Sequence, residues 1–559
     1  MLTPFAVGIL ALCHNSTTLN DFVNKALSIA GARADETTIR QTIAELARAR
    51  LLVPLSQLLG PIEDLSIPKY EITSVVILTA NRRSALKRAL LSYFDNFRVH
   101  ERCVQIVVMD DSRPPQEGLC DANLVSSIQG LRLAGQREKE QYVEELTRIG
   151  VDPETSRFAV LGKWRDGLCS IGANRNAALL DTIDEMILVA DDDTECRFVS
   201  RPNPNNHLTF SSGGNPRETW FFEDRGQLLH EVQPDNGGCD ILGQHERLLG
   251  RKISELIANG PWHGINVRDA CVDMIRALET LTGKIVGTMP GIAGDSGMCS
   301  PISFLSAAGS TRERLARDER SYRTAFRSRE ILGLVPTFTA MFSRFCMGTS
   351  IGIDNSDTIP PFFPIGRNED GVFGALVSLM KPTLLMGHIP VAVFHNPPTQ
   401  RAYKMIPEFR ISELIISLLL SLSSTRRRGS RELLRYFGME LTAISKLSHP
   451  DFWLLVSGAH TRQLQKHLRQ LESSVRDSRC PGYWRIDLCE RADQILSGTV
   501  QQDACVPAEL KQMFPIELAK EETKRLVAEA GALFYSWPDL LEAASQLRKR
   551  GIRISRNVR

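Results

Sequence analysis

The stretch Met186-Ile-Leu-Val-Ala-Asp-Asp-Asp-Thr194 decides the reading of this chain. Met186 to Ala190 is an unbroken apolar run, the pattern of a short strand buried on both faces. It stops at three carboxylates, Asp191, Asp192 and Asp193. Adjacent anions are costly to hold together unless a cation or water sits among them. Strand alternation turns Asp191 and Asp193 the same way. Two hard oxygen ligands at a strand end suit Mg²⁺ or Mn²⁺ bound together with a substrate's phosphates. Open α/β sheets take their ligands outside the carboxyl ends of the strands. The competing reading is an acidic turn, because Asp is common there.

Upstream, Tyr70 to Thr79 is a strand rich in β-branched residues that runs into Ala80-Asn81-Arg82-Arg83. A helix over Ser84 to Phe94 turns Leu86, Ala89, Leu90 and Tyr93 inward, and Val104 to Met109 is a second buried strand ending in Asp110-Asp111-Ser112. Strand, helix, strand is a βαβ unit, so the sheet is parallel with a right-handed crossover. No G-x-G-x-x-G follows the first strand, which counts against a dinucleotide fold. Residues 115 to 157 read as a charged helical excursion, and Phe158 to Leu161 as a short strand leading to Lys163. Gly172-Ala-Asn-Arg175-Asn176 then opens a helix, where a basic side chain beside unpaired amides makes an anion pocket.

Downstream, Leu208 to Phe210 and Thr219 to Phe222 flank a Ser-Ser-Gly-Gly-Asn-Pro hairpin or loop. His245 and His263 read as structural histidines. Gly291 to Gly297 reads as a mobile Gly-rich loop whose amides could cradle a phosphate or an acceptor, with a plain turn as the alternative. Pro364 to Gly374 is an acidic turn, with Glu369 and Asp370, opening an apolar helix where anions are favoured. Val391 to Phe394 is a strand that ends at His395 before prolines.

Four of these segments, in this order, carry a resemblance. Thr79-Ala-Asn-Arg82, Met109-Asp-Asp111, Gly172-x-x-Arg175-Asn176 and the D-x-D after the next strand resemble a GT-A glycosyltransferase of the family-2-like kind. Glu369-Asp370 resembles the x-E-D motif of such enzymes. The resemblance implies a Rossmann-like, mostly parallel α/β catalytic domain over residues 66–404. It implies that Thr79, Asn81 and Arg82 lie at the nucleotide, that Asp110 or Asp111 accepts from the base, and that Arg175 and Asn176 approach the base or diphosphate. Asp191, Asp192 and Asp193 would hold the sugar-nucleotide and the divalent cation, with Asp192 able to stand in for a neighbour. Asp370 would be the general base and Glu369 would orient acceptor or metal. His395 would be the third metal ligand, and imidazole with two carboxylates suits Mn²⁺ better than Mg²⁺. The implied donor is a nucleoside diphosphate sugar, UDP favoured, and the acceptor a saccharide, a lipid-linked glycan or a peptide. A nucleotidyltransferase or pyrophosphorylase is the first alternative, and a non-catalytic scaffold of this fold the second.

At 559 residues the chain holds roughly two to four domains. Residues 1–65 form a helical module resembling the winged-helix-like half of PqqD-like peptide-binding modules. Thr18 to Ala30 is one helix, Asp35 caps a second, and Pro61 to Pro68 is a linker. Residues 405–559 form an α-helical domain, with helices over Ile411–Leu422, Arg431–Lys446, Phe452–Leu471, Ile516–Phe534 and Trp537–Arg548 and a solvated Arg-rich tail, which could hold the acceptor or make a homo-oligomer. Net charge is +2 and the N-terminal helices carry few basic residues, so no nucleic-acid partner is expected. The twelve cysteines show no C-x-x-C pair, which fits a reducing compartment. No signal peptide or transmembrane segment is expected, and the protein reads as cytoplasmic.

Overall fold

The computed structural model describes residues 2–558 except 13–17, 31–34, 60–69, 114–127, 129, 163–167, 201–205, 236–237, 381–382, 400, 405–408, 423–428, 477–479 and 500–502. The linker at Pro61 to Pro68 and Lys163 lie outside the described residues.

One 14-stranded sheet organises the chain. Its strands are β1 (Ser74–Thr79), β2 (Gln105–Asp110), β3 (Arg132–Ala134), β4 (Met186–Asp191), β5 (Thr194–Ser200), β6 (His207–Ser211), β7 (Glu218–Phe221), β8 (Gly264–Arg268), β9 (Lys284–Asp295), β10 (Glu330–Leu334), β11 (Phe338–Met341), β12 (Ser350–Asp354), β13 (Leu384–His395) and β14 (Arg556–Asn557). The order is β14-β3-β2-β1-β4-β12-β9-β13-β11-β6-β8, with β5 on β13, β10 on β9 and β7 on β10. Strands β3, β2, β1 and β4 run parallel, joined by the expected βαβ unit through the helix Arg83–Val99. β12 enters antiparallel between β4 and β9.

Alternation splits each central strand between two cores. Val76, Leu78, Val107, Met109, Ile187 and Val189 join one core, and Val75, Ile77, Ile106, Val108, Leu188 and Ala190 the other. The first core also contains Leu179, Leu418, Leu441, Phe452, Val527 and Trp537. Residues from the C-terminal helices therefore share a core with the sheet, and the Trp537 indole N–H donates to the Ile359 carbonyl at 2.8 Å. The N-terminal helices Pro4–Ala11, Leu19–Ala30 and Glu36–Arg48 close a small core of Phe22, Val23, Ile39 and Leu46, and Asp35 accepts from the Thr38 amide.

Several expectations need correction. Phe158 to Leu161 is the end of a helix, Pro153–Leu161, that Asp152 caps and Gly162 closes at φ 58. A four-residue apolar run fits helix and strand alike, and the Asp-Pro start was the deciding signal. The stretch read as a helical excursion contains the strand β3, paired with β2 and β14. Gly291 to Asp295 is no loop: it lies in β9, buried throughout. Gly294 adopts φ 106 there, and a Cβ on it would lie 2.4 Å from the His395 carbonyl. The segments flanking Ser-Ser-Gly-Gly-Asn-Pro are β6 and β7, which pair with β8, β11 and β10 rather than with each other. The last two helices are one, Ile516–Lys549, continuous through Pro538 because its buried side fills the first core. The Arg-rich tail is docked: Arg548 and Arg553 pair with Glu185 at 2.8 and 2.9 Å, Ser555 bonds Asp181, and β14 pairs with β3. Among the described residues no helix is long and apolar enough to cross a membrane.

Candidate functional site

The carboxyl ends of β1, β2 and β4 lie side by side, with Thr79 opposite Asp110 and Leu78 opposite Asp191. β4 ends at Asp191, and Asp192 and Asp193 form the turn into β5. Alternation holds only while the chain stays extended, so it does not set where Asp193 points. Each of the three carboxylates meets a different element.

Asp191 continues the face of Ile187 and Val189, against which the helix Ile171–Asp181 packs. There it meets Arg175. The Arg175 guanidinium is buried and bridges two carboxylates, donating from Nη2 to Asp191 at 2.8 Å and from Nε to Glu369 at 3.1 Å. Among the described residues its Nη1 has no partner. Gly348 presses on this group, and a Cβ there would lie 2.7 Å from Nη2. Burial pulls the guanidinium down, but Asp191, Glu369 and Asp370 outweigh it and hold it above its usual value. Burial, joined by Asp193 and Glu369 against the opposing Arg175, pushes the Asp191 carboxyl up to about 7.

Asp192 accepts from the Thr79 hydroxyl at 2.7 Å and from Arg82 at 3.2 Å, and Arg82 also reaches Asp193 at 2.9 Å. Burial, then Asp193, pushes Asp192 up to about 6. Asp193 faces His395 at the end of β13, with Oδ1 and Nε2 3.4 Å apart. Although burial works against it, His395, Arg82 and Arg401 hold Asp193 well below the usual carboxylate range. The other imidazole nitrogen, Nδ1, lies 2.6 Å from the Asp295 carbonyl. A carbonyl only accepts, so Nδ1 carries a proton and donates to it. Burial lowers the His395 pKa, but Asp193 outweighs it and raises the value.

Glu369 and Asp370 begin the helix Glu369–Leu379, behind Asn368 in the left-handed region at φ 70. Asp370 accepts from the Gly348 amide and from its own neighbour Gly371, each at 2.9 Å. Burial, then Glu369, pushes its carboxyl up to about 6.

The remaining candidates bond to other partners. Asp110 accepts from the Ser112 amide and hydroxyl, and burial raises its pKa. Asp111 is buried among Ser170, Gln136 and Lys139. Asn81, at φ 58, donates its backbone N–H to Ser112 at 2.8 Å. Asn176 is a correction. Its amide bonds the backbone of Ala159 and Phe362 on both its oxygen and nitrogen, so the side chain joins two segments and is not presented to a ligand. His245 is structural as read, buried with Nδ1 2.7 Å from the Thr288 hydroxyl.

Sequence reading missed Asp295, gripped by Arg329 through two bonds of 2.8 Å and by Arg401 at 3.0 Å. It also missed Gly348, which anchors Asp370, and buried Lys139, which bonds Asn174 at 2.7 Å. The Gly294-Asp-Ser-Gly297 punctuation was visible, but only strand pairing shows that β9 delivers Asp295 to His395. A cleft of about 930 Å³ lies at the other end of the strands, lined by Thr73, Gln105, Met186 and Arg553, and contains none of these residues. No protein-family model and no curated protein matches the chain.

Proposed function

We propose that the chain is a metal-dependent glycosyltransferase that moves a sugar from a nucleoside diphosphate donor to an acceptor. The observation that carries this reading is the convergence of Thr79, Arg82, Arg175, Asp191 to Asp193, Glu369, Asp370 and His395 at one end of the sheet, from segments far apart in the chain. Ligands of open α/β sheets bind at that end.

The donor set fits a divalent cation, either Mn²⁺ or Mg²⁺. With Nδ1 donating to Asp295, Nε2 faces Asp193, and a cation bound there would take the place of the Nε2 proton that the carboxylate otherwise favours. Two acceptors facing each other need a proton or a cation between them. Among the described residues no three His, Cys, Asp or Glu side chains form a ready-made metal cluster. Asp193 and His395 would thus supply the protein ligands, and donor phosphates and water the rest, as is usual for Mg²⁺ and Mn²⁺. Bound there, the cation would neutralise the charge that builds on the leaving diphosphate.

The chain's own residues divide the remaining work. Arg82 and Thr79 hold Asp192 and Asp193 in place, while Arg175 locks Asp191 to Glu369. Asp370 takes the acceptor's proton as its nucleophilic atom bonds the anomeric carbon and the bond from that carbon to the phosphate oxygen breaks. A carboxylate pushed up to about 6 is well placed for this, since a general base works best near the operating pH. A base on the acceptor side gives a single, inverting displacement.

The test is a thermal-shift screen of UDP, GDP, CDP, ADP and their sugar conjugates, with and without Mn²⁺. A ligand that binds only the native state raises the melting temperature by mass action. One nucleotide should give a Mn²⁺-dependent shift that Asp193→Ala abolishes. No shift with any nucleotide would overturn the reading.

A further inference from the structure

We infer that the acceptor carries an anionic group, a phosphate or carboxylate, held at Arg217 and His388 beside Asp370. This inference rests on the glycosyltransferase reading above.

The Arg217 guanidinium lies over the Phe345 ring, 4.5 Å from its centroid, with Nη1 3.4 Å from the Met347 sulfur. Its Nε donates only to Asn215 at 3.3 Å. No described carboxylate pairs with it or with Arg344 on the neighbouring loop, whereas Arg82, Arg175, Arg329 and Arg401 are all paired. Burial pulls Arg217 down to about 10. His388 in β13, which also packs against Phe345, is 1% exposed, and among the described residues neither of its ring nitrogens has a partner. Its ring centroid is 5.9 Å from that of Phe345. Burial, then Arg217, keeps the imidazole neutral, so it has one N–H to give and one lone pair to fill. Buried Ser212 Oγ is unpartnered as well.

Ser212 and Arg217 lie on one loop and Arg344, Phe345 and Met347 on another, and the two loops touch. The Ser343 hydroxyl donates to the Gly214 carbonyl at 3.4 Å, and Met347 precedes Gly348, whose amide holds Asp370 at 2.9 Å. Native proteins leave few buried polar groups unpaired, and a guanidinium without a counter-charge is costly to bury. A small oxyanion beside Phe345 would accept from the guanidinium and the imidazole N–H. The cations that face the donor's carboxylate cluster are already neutralised. The unneutralised Arg217 packs on the loop whose Gly348 amide holds Asp370, the proposed base.

The probe is inorganic phosphate titrated into the full chain, read by thermal shift and by calorimetric Kd. In the wild type phosphate should raise the melting temperature. Arg217→Gln should weaken phosphate at least about tenfold, the loss usual when a charged hydrogen-bonding partner is removed. Arg217→Lys should recover part of it, His388→Gln should weaken it too, and Arg82→Gln should leave it unchanged. The nucleotide shift with Mn²⁺ should survive Arg217→Gln. No phosphate shift in the wild type, or an equal shift in Arg217→Gln that melts like the wild type, overturns the inference. So does loss of the nucleotide shift in Arg217→Gln, which would give the arginine to the donor diphosphate. If no nucleotide binds the wild type but phosphate binding still tracks Arg217, the anion site stands and the glycosyltransferase reading falls.

Discussion

Replacing Arg175 by methionine keeps its volume and apolar stem but removes the only cation between Asp191 and Glu369. The pairs are short, 2.8 and 3.1 Å, and all three side chains are shielded from water. Removing one partner of a buried ion pair leaves an uncompensated charge and costs about 3–5 kcal/mol. The cost depends on pH in a direction that can be worked out. Asp191 already titrates near 7 with the arginine present, and losing the cation drives it higher. A carboxyl whose folded pKa exceeds its unfolded value binds more protons in the native state, so stability falls as pH rises. The full deficit should therefore appear at pH 8 and shrink at pH 5.5, where Asp191 is protonated in the fold. Urea unfolding of wild type and Arg175→Met at both values reads it directly. Adding Asp191→Asn should recover part of the loss at pH 8, as contacting residues couple. An equal deficit at both pH values, or one below about 1 kcal/mol at pH 8, would refute the argument that charge compensation holds this bridge.

Asp370→Asn should lower transfer by about 10²–10⁴-fold while leaving the Mn²⁺-dependent nucleotide shift intact, and wild-type kcat/KM should fall as pH drops through about 6. Transfer within tenfold of wild type would place the base elsewhere. Asn176→Ala should cost about 1–3 kcal/mol of stability through its orphaned backbone partners, with no change in donor Kd. Weaker donor binding at unchanged stability would return Asn176 to the ligand. Gly294→Ala should destabilise by at least about 1–3 kcal/mol, because φ 106 is strained for any other residue and the new Cβ meets the His395 carbonyl. It should also weaken the Mn²⁺-dependent shift by displacing His395, and a variant that melts like the wild type would show that β9 can yield there.

Much of this protein is legible in its sequence where the signal is local. The apolar runs of β1, β2 and β4, the intervening helix and the parallel pairing follow from period and order alone. So does the Asp35 cap, whose side chain needs only the next turn of backbone. The carboxylate-rich ends of β2 and β4 and the start of the helix at Glu369 were visible for the same reason. What sequence could not decide is which charges meet. Asp191 and Asp193 are two residues apart, yet one pairs with Arg175 and the other faces His395, because the chain turns at Asp192. Arg175 looked like a free anion-binding side chain, but tertiary packing closes it between two carboxylates. Asn176, its neighbour, is turned into the backbone. The glycines of β9 looked like loop residues until a strand on each side needed the space their missing side chains leave. Pro538 looked like a helix boundary until a shared core made the continuous helix the better burial. Local periodicity is written in neighbouring residues. Ion pairing, close backbone approach and the sharing of a core are set by distances that exist only once the chain has folded.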